Sequence, residues 1–210
     1  MQPEIILASQ SPRRRELFKL AVKDFTVKAA EIDEKEIETA VLENRDEDFL
    51  ETAKKLVIEL ASKKAAEIHR KNPDALVVGA DTVVVLKENI LGKPRDNEEA
   101  YSMIRRLAGK IHHVLTGVSI KLGSMEDRFV SVSQICFYPW DEQMEREVQA
   151  YVASGKASDK AGAYGIQEEA GLWVEWIKGD YNNIVGLPIA ELNKRLNENI
   201  NPPAVLGRIG

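Results

Sequence analysis

Three cations in succession occupy positions 13 to 15, directly after Ser11 and Pro12, in the stretch LASQSPRRRELF (residues 7–18). Ser11 suits a helix N-cap and Pro12 the first helical position, which puts Arg13, Arg14 and Arg15 in the first turn. The positive end of the helix dipole lies there and disfavours each cation by roughly 0.3–1 kcal/mol. An external anion offsets that cost, because helix-start amides and arginine side chains together make a phosphate site. The alternative is a set of arginines pointing into water beside Glu16.

Other polar residues interrupt apolar or glycine-rich runs. VVGADTVVVL places the Asp81 carboxylate between two strand-like segments, where an unpaired charge is costly. A buried ion pair or a bend at Gly79 explains it structurally; a catalytic or metal-binding carboxylate at a strand end explains it functionally. ILGKP (90–94) holds Lys93 in a short turn, and a surface turn has the same appearance. In KAGAYGIQ (160–167) small residues let backbone approach a ligand, and the Gln167 amide can both donate to and accept from a base edge. DYNNIVGLP (180–188) repeats the loop-to-helix layout. Glu31, Asp33 and Glu34 crowd one strand end, as a solvated edge or as oxygen ligands for a hard cation.

Absences narrow the chemistry. The chain has no G-x-x-x-x-G-K-[ST], G-x-G-x-x-G, H-E-x-x-H or G-x-S-x-G pattern. His112 and His113 are adjacent, so on a strand they face opposite ways and make a poor metal pair. Arginine, lysine and carboxylate remain, the groups used in phosphoryl or nucleotidyl transfer with a divalent ion.

The elements that must carry these residues alternate along the chain. Strands are expected at 4–8, 25–30, 75–80, 82–86, 111–122, 129–138 and in GLWVEWIK. Helices are expected from Pro12 to about Leu20, over 46–71, from the Asp96/Glu99 capping box to Leu107, over 141–153, and from Pro188 to about Asn197. The reading is one α/β domain over 1–198 with a mixed sheet, followed by a loose tail at 199–210.

Composition sets the outer limits. The 210 residues are 44% hydrophobic, enough for one core, and the net charge of −5 argues against a chain that coats DNA or RNA while leaving room for a local anion pocket. The single cysteine, Cys136, lies in an apolar run and fits burial in a reducing compartment. MQPEIILASQ lacks a basic n-region and a long apolar h-region, and no long apolar run is uninterrupted. A cytoplasmic protein without a membrane span is the expectation.

LASQSPRR, GADTVVV followed by ILGKP, DKAGAYGIQ and GDYNNIVGLP resemble, in order and spacing, the Maf-like nucleoside triphosphate pyrophosphatases, from residue 4 to about 197. The resemblance implies an α/β fold related to the inosine triphosphate pyrophosphatases, with a mixed sheet and flanking helices in two lobes around a deep cleft. It implies hydrolysis of a nucleoside triphosphate to monophosphate and pyrophosphate with a divalent metal, Mg or Mn. It assigns Asp81 as the acid–base residue and suggests Ser9, Arg13, Arg14, Glu34, Lys64 and Lys93 as the polar lining, from which Asp81 and Glu34 are expected to hold the metal, Lys64 and Lys93 to serve catalysis, and Ser9, Arg13 and Arg14 to bind substrate. Periodicity alone reads Lys64, in LASKKA, as part of a solvated helix face.

Arg13, Thr82 and Gln167 resemble the branch acting on dTTP and UTP rather than the 7-methyl-GTP branch. One departure stands out: the family continues Ile-Gln with glycine, whereas Gln167 is followed by Glu168, Glu169 and Ala170. Glu168 is expected to face solvent, because turned inward it would repel a triphosphate. A nucleotide-binding regulator linked to cell division and a nucleotidyltransferase are the alternative functions. The expected partners are a nucleoside triphosphate and a second copy in a homodimer, with no nucleic acid polymer and no membrane.

Overall fold

The computed structural model describes residues 3–200. In chain order these are β1 (Ile5–Ala8), α1 (Pro12–Ala21), β2 (Thr26–Val27), α2 (Glu34–Glu43), α3 (Phe49–Lys71), β3 (Leu76–Leu86), β4 (Asn89–Leu91), α4 (Asn97–Leu107), β5 (Ile111–Leu122), β6 (Met125–Phe137), α5 (Glu142–Ala153), β7 (Val174–Lys178), α6 (Tyr181–Val185) and α7 (Ile189–Ile200). Short 3-10 turns occupy Ala161–Ala163 and Glu169–Trp173. The strands form one mixed seven-stranded sheet in the order β2-β1-β3-β5-β6-β7, with β4 on β3. The expected mixed α/β architecture is therefore present.

β3 organises the molecule. It is one continuous strand through Asp81, where two runs with a bend at Gly79 were a reading of the sequence. On one edge it pairs with β5 from Val77 to Val85. On the other edge β1 runs parallel to it only as far as Gly79, and the β4 hairpin strand pairs only with Val84, Val85 and Leu86. The edge from Ala80 to Val83 is thus left uncovered between β1 and β4. Strand geometry then sends Asp81 and Thr82 to opposite faces around one open edge.

Helix α3 covers one face. Asp48 caps it by accepting from Leu50 N–H, Glu51 lies in its first turn, and His69, Arg70 and Lys71 suit its negative end. Its buried stripe packs on Val83, Val85 and Leu115. The approach is close because two strand positions lack side chains: a Cβ on Gly79 would lie 2.3 Å from the Ala61 carbonyl oxygen, and one on Gly117 2.3 Å from that of Val57. The opposite face carries two apolar clusters. One joins Phe18 of α1 and Leu192 of α7 to Leu76, Val78 and Ala80; the other joins α4 and α5 to Val84, Leu86 and Phe137. Thr82 falls between them.

Several boundaries differ from expectation, each for a local reason. Within 25–30 only Thr26 and Val27 pair with β1, and Lys28 N–H closes the ladder on Leu7 O. Residues 34–43 form a helix that a crowded run of acids concealed; Asp33 caps it, and Glu34 and Glu36 suit its positive end. Gly123 at φ 55° turns β5 into β6, which starts at Met125 rather than 129. Only VEWIK of GLWVEWIK is strand, because Gly171 N–H bonds Glu168 O in the preceding turn. Tyr181–Val185 is a short helix capped by Asp180. The last helix runs to Ile200, so two residues of the expected tail are helical and 201–210 lie outside the described residues. Cys136 is buried as expected, and no helix among the described residues is long and apolar enough to cross a membrane.

Candidate active site

The open edge of β3 faces a cleft of about 590 Å3, lined by Ser9, Arg13, Arg14, Glu34, Lys64, Asp81, Thr82, Lys93 and Gln167. These nine candidates read from the sequence thus reach one cavity from six separate stretches of chain, whereas Glu31 and Asp33 do not line it.

On the α3 side, Lys64 Nζ lies 2.5 Å from Asp81 Oδ1 and 2.7 Å from Glu34 Oε1. Lys64 belongs to the helix face that packs on Gly79, so the glycine that admits α3 also brings the ammonium to Asp81. Glu34 arrives at the first position of α2. Partial burial raises the Glu34 pKa, but Lys64 first, then Lys93 and Arg14, more than offset this and hold it below its ordinary value.

On the other face Arg14 is a tie between three elements. Its Nε donates to Gly186 O at 2.9 Å, Nη2 to Thr82 Oγ1 at 2.9 Å, and Nη1 to Ser9 Oγ at 3.4 Å. Burial lowers its pKa, Asp81 opposes this and Arg13 adds to it; the guanidinium remains a cation. Thr82 Oγ1 is 2.9 Å from Thr116 Oγ1, and Thr116 in turn donates to Asn183 O. Arg13 donates to Asp159 Oδ2 at 2.7 Å and to Asp159 O. The arginine row is therefore neither fully solvated nor free: two of its members are braced at the cleft, while Arg15 is exposed.

The far wall is the loop after α5. Gly162 N–H bonds Gly92 O, which ties the ILGKP turn to the glycine-rich loop and sets Lys93 at the cleft. Lys93 is exposed and has no hydrogen-bond or ion-pair partner among the described residues. Gln167 is exposed at the cleft wall.

The profile of the family described as Maf-like protein matches residues 4–199. This chain belongs to the Maf-like family. It is 45% identical over 187 residues to a dTTP/UTP pyrophosphatase of Geobacillus sp. (strain WCH70), covering 89% of this chain and 93% of that one. A dTTP/UTP pyrophosphatase of Bacillus velezensis is 40% identical, with 94% and 97% covered, and one of Thermococcus gammatolerans is 40% identical, with 88% and 91% covered. The Staphylococcus aureus Ham1 protein aligns over 93% of this chain and 99% of its own at TM-score 0.45 and 11% identity, a likeness too low to argue from.

Two features of this Maf-like chain depart from its sequence reading. Glu168 turns inward: its Oε2 accepts from Tyr151 O–H at 2.8 Å and its Oε1 lies 3.1 Å from Lys160 Nζ. The buried Lys160 ammonium supplies the counter-charge that makes this orientation tolerable beside an anion site. Lys160 and Asp159 were missed as site residues, although they stand inside DKAGAYGIQ. Thr116 gave no signal, since a hydroxyl inside an apolar strand looks like an ordinary core polar group, and Asn183 was not singled out although it stands inside DYNNIVGLP.

The donor set suits a hard divalent cation. Asp81 and Glu34 share one ammonium through one oxygen each, and each keeps a second carboxylate oxygen outside that ion pair. No three or more His, Cys, Asp or Glu side chains converge among the described residues. Magnesium-type ions take one or two protein carboxylates and complete their shell with water and substrate phosphates.

Proposed function

We propose that this chain hydrolyses dTTP and UTP to the monophosphate and pyrophosphate. The observation that carries the reading is the pairing of Lys64 with Asp81 and Glu34 inside the cleft that the first turn of α1 also faces. Relatives named dTTP/UTP pyrophosphatase across nearly the whole chain support the substrate pair.

The reaction forms a bond from water oxygen to the α-phosphorus and breaks the bond from the α-phosphorus to the α,β-bridging oxygen, which leaves with the electron pair as part of pyrophosphate. Asp81 takes the proton from the attacking water, and Lys64 fixes the orientation of that carboxylate. Arg13, Lys93 and the amides at the start of α1 hold the triphosphate and balance charge on the departing pyrophosphate. Arg14 and Ser9 set the position of that helix start against Thr82 and Gly186. Asp81 and Glu34 would hold a Mg or Mn ion, which when bound neutralises phosphate charge and acidifies water. Gln167 offers its amide to the alternating carbonyl and N–H groups of thymine or uracil.

Incubating the purified chain with magnesium and a panel of dTTP, UTP, CTP, ATP, GTP and 7-methyl-GTP, with products identified, tests the reading. Monophosphate plus pyrophosphate from dTTP and UTP is expected, and chelation should stop it. Release of orthophosphate, dependence on an acceptor, or tight binding of dTTP without turnover would overturn it, the last in favour of a regulator.

A further inference from the structure

The segment that carries Gln167 is pinned from beneath by a closed set of bonds. Glu168 N–H donates to Gly165 O at 3.0 Å, which makes residues 165–168 a tight turn with Gln167 at its third position. Gly165 N–H donates to Tyr151 Oη at 3.1 Å, and Tyr151 O–H donates to Glu168 Oε2 at 2.8 Å. The two ends of the turn are therefore joined twice, once through backbone and once through a buried phenol on α5. The other oxygen of Glu168 faces Lys160 Nζ, which also donates to Lys156 O and Asp159 Oδ1. Lys160 is only 5% exposed, and its stem lies directly under Gly165, where a Cβ would come within 2.5 Å of Lys160 Cε.

We propose that Glu168, acting through Tyr151 and Lys160, is the positioning residue that aims Gln167 into the cleft and so sets base discrimination. This rests on the dTTP/UTP pyrophosphatase reading above. The Gln167 side chain makes no bond of its own among the described residues. Its direction is fixed by the turn, and the turn by Glu168. The same carboxylate completes a line of charges from Glu168 through Lys160 and Asp159 to Arg13, so the turn that presents the base reader and the first turn of α1 share one brace.

Charge and position make separable demands on a substitution. Removing a negative charge near the cleft favours all triphosphates alike and loosening the shared brace weakens them alike, whereas misdirecting Gln167 acts unequally on different bases and so changes the ratio between them. Glu168→Ala should lower the ratio of kcat/KM for dTTP over GTP at least about fivefold, approaching Gln167→Ala. Glu168→Gln keeps an acceptor for Tyr151 and should restore most of the ratio, and Tyr151→Phe should fall between the two. Hydrogen exchange at the Gly165 and Glu168 amides should speed up in Glu168→Ala and Tyr151→Phe. A folded Glu168→Ala enzyme with the wild-type ratio overturns the proposal, as does unchanged amide exchange. Wild-type protein that hydrolyses no triphosphate would instead sink the functional reading; binding of non-hydrolysable dUTP and GTP analogues to the same variants then decides the positioning role by the same ratio.

Discussion

Lys64 and Asp81 stand 17 residues apart in the chain and 2.5 Å apart across the boundary between α3 and β3. Both side chains are only 12% exposed, so each is the other's main compensation for leaving water. Asp81→Asn keeps the shape and hydrogen-bonding capacity at that place while removing the base. Hydrolysis should fall by about a hundredfold or more, the scale of lost acid–base catalysis, with the fold intact. Lys64→Met leaves two carboxylates without their shared cation and should cost about 1–3 kcal/mol of stability as well as activity. Urea denaturation alongside steady-state rates separates these outcomes; an Asp81→Asn enzyme with wild-type turnover would remove Asp81 from the chemistry.

Gly79 controls that geometry from a distance. A Cβ there meets the Ala61 carbonyl oxygen at 2.3 Å and the Ala65 amide nitrogen at 2.8 Å, both backbone atoms of α3 that no rotamer change can clear. The helix must move off the sheet, and Lys64 moves with it. Gly79→Ala should therefore destabilise towards the upper end of the roughly 1–3 kcal/mol typical of overpacking, and activity measured well below the melting transition should fall too. Loss of stability with full activity would show that Lys64 can be misplaced without consequence.

The sequence carried the long helix, expected over 46–71 and present over Phe49–Lys71, because periodicity is local, although it did not show that Asp48 caps the start. It carried β5 to its ends for the same reason. It did not carry the open edge of β3: that gap exists because β1 stops at Gly79 and β4 starts opposite Val84, and strand pairing between distant segments leaves no local trace. The candidate residues were legible as interruptions of apolar runs or through family resemblance, and Lys64 only through the latter. Their partners were not. The inward turn of Glu168 depends on Lys160 and Tyr151 being beneath it, which spacing alone does not reveal.

Acid sensitivity should come from the core rather than from the cleft. His112 is fully buried, with Nε2 2.9 Å from Tyr164 Oη and Nδ1 near Lys110 O. Burial, with His113 adding to it and Lys110 O opposing, lowers its pKa from 6.5 to about 4. The unfolded chain therefore binds this proton more readily than the folded one. Stability is fully present above about pH 6.5 and is lost as pH falls towards 4, amounting to about 2 kcal/mol between pH 7 and pH 5. His112→Gln retains a partner for Tyr164 without titrating, so denaturation at the two pH values should show about that much less pH dependence than wild type. Equal slopes in the two proteins would place the acid sensitivity elsewhere, with His113 or the carboxylates.

The arginine row ends in a sharper test than its sequence allowed. Arg14 is held by Ser9, Thr82 and Gly186, so its removal should lower stability as well as activity and cannot isolate a phosphate contact. Arg13 is bound to Asp159, a half-exposed carboxylate that a triphosphate can displace, and Lys93 has no partner to lose. Arg15 is exposed on the turn and serves as the control. Arg13→Ala and Lys93→Ala should each lower kcat/KM for dTTP by about 10–100-fold, the loss of one or two charge-assisted hydrogen bonds at roughly 1.5–3 kcal/mol, and Arg15→Ala by less than about twofold. Raising salt should weaken the wild type more than Arg13→Ala, because one screened contact is already gone. Equal and small effects at all three positions would return the row to solvent and leave the helix start without the anion that its charge pattern calls for.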